Sequence, residues 1–145
     1  MIDPLDAKLD LNLRVTDLDR SLAWYHRVFG LTPIYQGVDR TGDGRATALA
    51  CLRLGGVKLW LMPARDRPGS GEQRVGIALM TRQPLAPLRA ELARRGAEFD
   101  DHDVPGFAVE EDGIRRGLDA EFFYVRDPDG HRIEYCRAFP AGETQ

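Results

Sequence analysis

An internal repeat constrains this chain more than any other feature. Leu9, Leu11, Leu13 and Val15 alternate with Asp10, Asn12 and Arg14, and a helical pattern of Leu18, Leu22, Tyr25 and Phe29 follows, ending at Gly30. The second half repeats the order. Val75, Ile77 and Leu79 alternate with Gly76, Ala78 and Met80; then Leu85, Leu88 and Leu92 recur at helical spacing before Gly96. The shift that carries Leu13 onto Leu79 also carries Gly30 onto Gly96. Period two marks a half-buried strand and the wider spacing a helix with one apolar face. Thr16 and Asp17 can cap the first helix, and glycine after each helix can take a left-handed conformation. Pro84 and Pro87 crowd the first turn of the second helix, where a missing N–H costs least.

Strand candidates follow each helix: 32–38, 47–53 and 57–62 in the first half, 97–103, 121–126 and 131–137 in the second. The last two join through Asp127-Pro128-Asp129-Gly130, where proline presets φ and glycine supplies the left-handed position. The predicted fold is α+β, two tandem βαβββ modules in one domain: about 8–63, a linker about 64–73, about 74–138, and a short tail 139–145. Loops 37–45 and 63–73 are rich in Gly, Arg and Asp and are expected to be mobile. The glycine-rich stretch 68–71 lacks the strand–loop–helix context of a phosphate cradle. The irregular insert 104–118 is expected to cover a site.

Composition narrows the function. Hydrophobic residues at 43% and charged residues at 30% describe a globular chain. The net charge of −3, with acids and bases interspersed, argues against nucleic acid, which needs a basic stripe. No apolar run approaches the roughly 18 residues of a membrane helix. Met1-Ile2-Asp3-Pro4 does not open an export signal, so a cytoplasmic location without a membrane partner is expected. Cys51 and Cys136 lie far apart in apolar runs and read as reduced packing residues.

Two motifs carry a resemblance. The run from Leu13 to Tyr25, Leu-Arg-Val-Thr-Asp-Leu-Asp-Arg-Ser-Leu-Ala-Trp-Tyr, continuing to Phe29-Gly30-Leu31, resembles the opening of the vicinal oxygen chelate superfamily, the glyoxalase, bleomycin-resistance and extradiol-dioxygenase proteins. The run from Phe123 to Glu134, with Asp127-Pro128-Asp129-Gly130-His131 at its centre, resembles that superfamily's closing hairpin. The resemblance implies two modules with curved sheets forming a U-shaped trough, commonly in a homodimer. In metal-dependent members one divalent ion sits in the trough, held from the first and fourth strands of each module. The corresponding positions here are Asp10, a residue near Trp60, Gly76 and Glu134. Trp60 and Gly76 cannot ligate, and two carboxylates are too few for a catalytic transition metal.

Strand parity predicts the trough lining. Leu59 and Leu61 take the helix-packed face of their strand, which turns Lys58, Trp60 and Met62 inward beside Asp10, Asn12 and Arg14. Ile133 and Tyr135 do the same in the second module, which turns Glu134 and Cys136 inward with Phe122, Tyr124 and Met80. Glu134 is the strongest candidate for a functional or catalytic group, unless Lys58, Arg14 or Arg132 neutralises it. Asp10 reads first as a structural ion-pair partner. His26 is expected to face solvent, His102 to lie in a loop, and His131 to be exposed after its turn. Trp24 is expected in the core and Cys136 to pack.

An aromatic trough bearing acids suits a planar cation. The leading expectation is a metal-free small-molecule binder of the bleomycin-resistance type, without a cofactor, sequestering an aromatic or cationic natural product or metabolite. Antibiotic resistance is the corresponding role. The alternative is a glyoxalase-like lyase or isomerase, or a dioxygenase, with a divergent divalent-metal site including Asp10 and Glu134, or with those two as an acid–base pair.

Overall fold

A computed structural model describes residues 2–40, 46–63 and 74–139. Residues 41–45 and 64–73, which hold most of the two loops expected to be mobile and all of the 68–71 glycine stretch, lie outside the described residues, as does the tail 140–145. The chain is α+β and divides into two compact units, 1–26 with 30–73, and 27–29 with 74–145.

The first unit begins with β1 (Asp10–Val15), runs into α1 (Leu18–Phe29), and continues with β2 (Tyr35–Arg40), β3 (Ala46–Leu54) and β4 (Val57–Pro63). The sheet order is β1-β4-β3-β2, with β1 and β4 parallel and the other pairs antiparallel. Asp17 caps α1 by accepting the Arg20 N–H on Oδ1 at 3.0 Å, and Gly30 closes it at φ 69°. Leu13, Val15, Leu59, Leu61, Leu52 and Leu54 share one face of the sheet and are all buried. On α1 the buried stripe is Ser21, Trp24 and Tyr25, with Val28 continuing it in the second unit. Leu18 and Leu22, expected inward, are only half-buried.

The second unit holds β5 (Gly76–Met80), α2 (Leu85–Arg94), β6 (Glu98–Phe99), β7 (Arg115–Arg116), β8 (Ala120–Arg126) and β9 (Arg132–Ala138). The order is β5-β9-β8-β6, and β7 pairs with the same edge of β8 as β6 does. α2 packs against β8 and β9, over Phe123, Val125 and Ile133, with Leu85 and Leu92 buried. Phe123 stacks on Tyr135 with centroids 5.4 Å apart.

The strand bounds correct the sequence reading in three places. β2 starts at Tyr35 rather than at residue 32, because Pro33 has no N–H to pair; Ile34 then donates to the Cys51 carbonyl at 2.8 Å. β6 stops at Phe99 rather than continuing to residue 103. There the Asp100 carboxylate accepts from the His102 backbone at 3.1 Å and turns the chain aside. The insert also contains a strand, β7, where only irregular chain was expected.

His131 is the clearest correction. It is fully buried, not exposed. Its Nδ1 accepts the Val75 N–H at 2.9 Å, and its own backbone N–H donates to Asp127 Oδ1 at 2.9 Å. The turn that signalled a surface position instead folds the ring back beneath the entry to β5.

Candidate functional site

Register builds the site in the second unit. Across β8 and β9, Phe122 faces Cys136, Tyr124 faces Glu134, and Arg126 faces Arg132. Across β9 and β5, Cys136 faces Met80, Glu134 faces Ala78, and Arg132 faces Gly76. Side chains alternate, so these residues share the face opposite the helix-covered Phe123, Val125 and Ile133. β7 adds Arg115, directly across from Phe122.

Aromatic rings wall one side of this face. Phe107, from the insert, meets Phe122 edge-on at 5.1 Å between centroids; Phe122 meets Tyr124 at 5.8 Å; His102 lies 4.9 Å from Tyr124. Thus His102, placed in a loop by the sequence, stands beside the expected lining residues. Phe122 is buried, Tyr124 and Cys136 are half-buried, and Met80 is 66% exposed on the edge strand.

The charges here are unevenly paired. Asp100 accepts from Arg132 Nε at 2.8 Å and from His102 Nδ1 at 3.0 Å. Burial alone would raise its carboxyl, but the hydrogen bonds from Arg132 and His102 outweigh burial and hold it below its ordinary value. Arg132 is therefore taken up by Asp100, not by Glu134. Glu134 is half-buried, makes no ion pair among the described residues, and is pushed above the usual carboxylate range by burial. Burial, then the Glu134 charge, raises the Tyr124 phenol against the opposing pull of Arg115 and Arg132. The same two causes raise Cys136, which keeps it a thiol and a poor nucleophile.

Arg115 and Arg116 were not singled out by sequence reasoning. Arg116 holds Glu110 and Asp112, each at 2.6 Å, and Glu121 at 3.2 Å. It helps line a cavity of about 440 Å³ with Glu110, Glu111 and Asp112. Arg115 is buried and has none of these partners. Glycine and charge surround this pair, and no alternation announces a two-residue strand.

The first unit has an equivalent face of its own. Asp10, Asn12 and Arg14 lie in parallel register with Lys58, Trp60 and Met62. Trp60 Nε1 donates to Asp10 Oδ2 at 3.0 Å, and Tyr35 approaches the indole edge-on at 5.8 Å. Asp10 is thus held by an indole N–H rather than by the ion pair expected of it. Asn12 and Arg14 are exposed, and Lys58, Trp60 and Met62 are half-buried.

These residues do not fit the divalent ion of metal-dependent relatives. Trp60 has no donor atom for a metal, Gly76 has no side chain, and the Asp10 carboxylate is engaged by Trp60. Among the described residues no three His, Cys, Asp or Glu side chains cluster to hold an ion. His26 Nδ1 lies 3.3 Å from the Leu31 carbonyl, and His102 and His131 have the partners given above.

Comparison with known proteins places the chain. The model of the Glyoxalase/Bleomycin resistance protein/Dioxygenase superfamily matches residues 9–135, and the chain belongs to that superfamily. No curated protein matches it in sequence. Among solved structures it is similar to TioX from Micromonospora sp. ML1, at 21% identity over 92% of this chain and 99% of that one, with a TM-score of 0.59. It is also similar to the fosfomycin resistance protein FosX from Listeria monocytogenes, a structure complexed with Mn(II) and sulfate. That match has 14% identity over 93% and 94% of the two chains and a TM-score of 0.58. A third is the glyoxalase/bleomycin resistance protein from Catenulispora acidiphila, at 20% identity over 91% and 97%, with a TM-score of 0.56. At these identities the likeness establishes the fold.

Proposed function

We propose that this chain binds a small aromatic, cationic natural product or metabolite on the open face of the second sheet, without a metal and without altering it. The observation that carries the reading is Glu134. Its carboxylate is half-buried, unpaired among the described residues, and opposite Tyr124 in register. An unpaired charge in partly dry surroundings is costly, and a cation in the ligand relieves that cost. The faces of Tyr124 and Phe122 favour a cationic or planar group. We propose the first unit's face, taken by itself, as a ligand-contacting surface too: Asp10, Asn12, Arg14, Lys58 and Met62 contact ligand there, and Trp60 offers a surface for stacking.

The superfamily hosts unrelated activities, so membership alone does not assign one. Resistance by sequestration suits a site that has an unpaired carboxylate but no complete ligand set. A solved relative described as a fosfomycin resistance protein is in keeping with a resistance role. We place the protein in the cytoplasm as a homodimer. Native mass spectrometry of untagged protein tests the function. A planar cation that co-purifies, is recovered unchanged and is lost in Glu134→Gln supports it. A chemically converted ligand overturns it in favour of an enzyme.

A further inference from the structure

Arg115 is, with the half-buried Glu134, another charge of the same face that lacks a counter-charge among the described residues. It is 1% exposed. Its Nη2 reaches only the Asp100 carbonyl oxygen, at 3.5 Å, and its guanidinium carbon stands 5.4 Å from the Tyr124 ring centroid. Its Nη1 is buried and has no hydrogen-bond partner among the described residues. A shortage of acids does not explain this. Glu110, Asp112 and Glu121 lie in the same stretch of chain, and all three bind the next residue, Arg116. Arg89 also has a buried, unpartnered nitrogen, but its guanidinium lies 3.9 Å over the Phe99 ring and against Gly113, away from the open face.

A guanidinium kept from water without a counter-charge is among the costliest groups in a folded chain. Its planar fork matches a carboxylate through two parallel hydrogen bonds. We propose that Arg115 receives a carboxylate of the ligand, so that the molecule bound here is an aromatic zwitterion. This rests on the reading of the open face as the ligand site and adds the ligand's second charge. Arg115 on β7 and Glu134 on β9 flank β8, whose Tyr124 and Phe122 lie between them. Two strand spacings, about 10 Å, separate β7 from β9, and the two-residue offset from Phe122 to Tyr124 adds about 7 Å along the strands, so the backbones that carry the two charges stand about 12 Å apart. The ligand's own charges therefore sit at opposite ends of a ring-sized body.

The probe is 6-(aminomethyl)-2-naphthoate, compared with its methyl ester, which keeps ring and cation but deletes the anion. Each is titrated into the full chain while backbone amide shifts of β8 and β9 are followed. The zwitterion should bind at least tenfold more tightly than the ester. That advantage should vanish in Arg115→Met and survive in part in Arg115→Lys, whereas Glu134→Gln should weaken both probes. Equal binding of the two probes to the native chain overturns the inference and assigns water to Nη1. So does a zwitterion preference that persists in Arg115→Met. If Arg115→Met does not fold, the native chain and Arg115→Lys decide alone, since a preference undiminished in Arg115→Lys also counts against it. An ester that binds and responds to Glu134→Gln, with no zwitterion advantage, leaves the cation site standing and removes only the anion site. If neither probe shifts these strands, both readings fall.

Discussion

Tyr124 and Glu134 face each other across β8 and β9, and the carboxylate helps raise the phenol above its ordinary value. No cation stands between them among the described residues; Arg132, the nearest in sequence, is bonded to Asp100. The pair leaves the second unit with a half-buried acid that has no counter-charge among the described residues.

The Glu134 carboxyl is raised by burial, so the fold favours its protonated form. Its contribution to stability is fully present below the ordinary value of 4.5 and is lost as pH rises through the higher folded value. Glu134→Gln stays neutral throughout. It should melt higher than the native chain at neutral pH and alike at pH well below 4.5, while binding an aromatic cation at least tenfold more weakly. Thermal melts across pH, paired with calorimetric titration, check both halves. A Gln variant that melts lower at neutral pH would show that Glu134 has a partner.

His131 ties the start of β5 to the hairpin before β9. His131→Leu keeps the bulk but leaves the Val75 N–H without its acceptor, at a cost of about 1–3 kcal/mol. Chemical denaturation should show that loss, with ligand binding nearly unchanged. A neutral substitution would mean that water replaces the ring nitrogen.

The two tryptophans should separate. Trp24 is 5% exposed, and Trp24→Ala should cost about 3–5 kcal/mol, as large core deletions do. Trp60 is half-buried beside Asp10 and Tyr35, so Trp60→Ala should leave the chain folded and weaken binding by about tenfold, roughly 1.4 kcal/mol. Melts of both variants beside a fluorescence titration decide. The reverse ranking would invert the assignment of faces.

Ile34, Tyr35 and Val38 are each about half exposed on or beside the edge strand β2. Exposed apolar edges favour self-association, and a second copy is the expected cover. Light scattering at tens of micromolar should give twice the mass of one chain. A monomer mass would remove the dimer from the proposal.

Elemental analysis of untagged protein should find far less than one Fe, Ni, Mn or Zn per chain, because Trp60 and Gly76, at or beside two positions to which the family resemblance assigns metal ligands, cannot ligate. One tightly held ion per chain, lost in Glu134→Gln, would restore the enzyme reading.

The faces of β1, β4, β8 and β9 were legible because alternation with one buried side leaves a single register. Leu59 and Leu61 are buried and Trp60 is not; Ile133 is buried and Glu134 only in part. What could not be read was decided by contacts remote in sequence. His131 follows a turn that signals solvent, yet its ring is buried and accepts from Val75, far off in the sequence. Arg115 belongs to a strand of two residues, too short for any period to appear. Asp100 turned away the end of β6 through its own side chain, and the same carboxylate then claimed Arg132, one of the three residues named as able to neutralise Glu134.

The outer edge of β8 is shared by two short strands, β7 opposite Glu121 and Phe122, and β6 opposite Val125 and Arg126. A single long neighbour would have to unzip as one piece. Two separate pieces should exchange their amide hydrogens independently, the segment that carries Arg115 opening while β6 keeps the rest of the edge closed. On the proposal that Arg115 receives a ligand, that local opening is the route by which a solute reaches the buried guanidinium while the core of the sheet stays undisturbed.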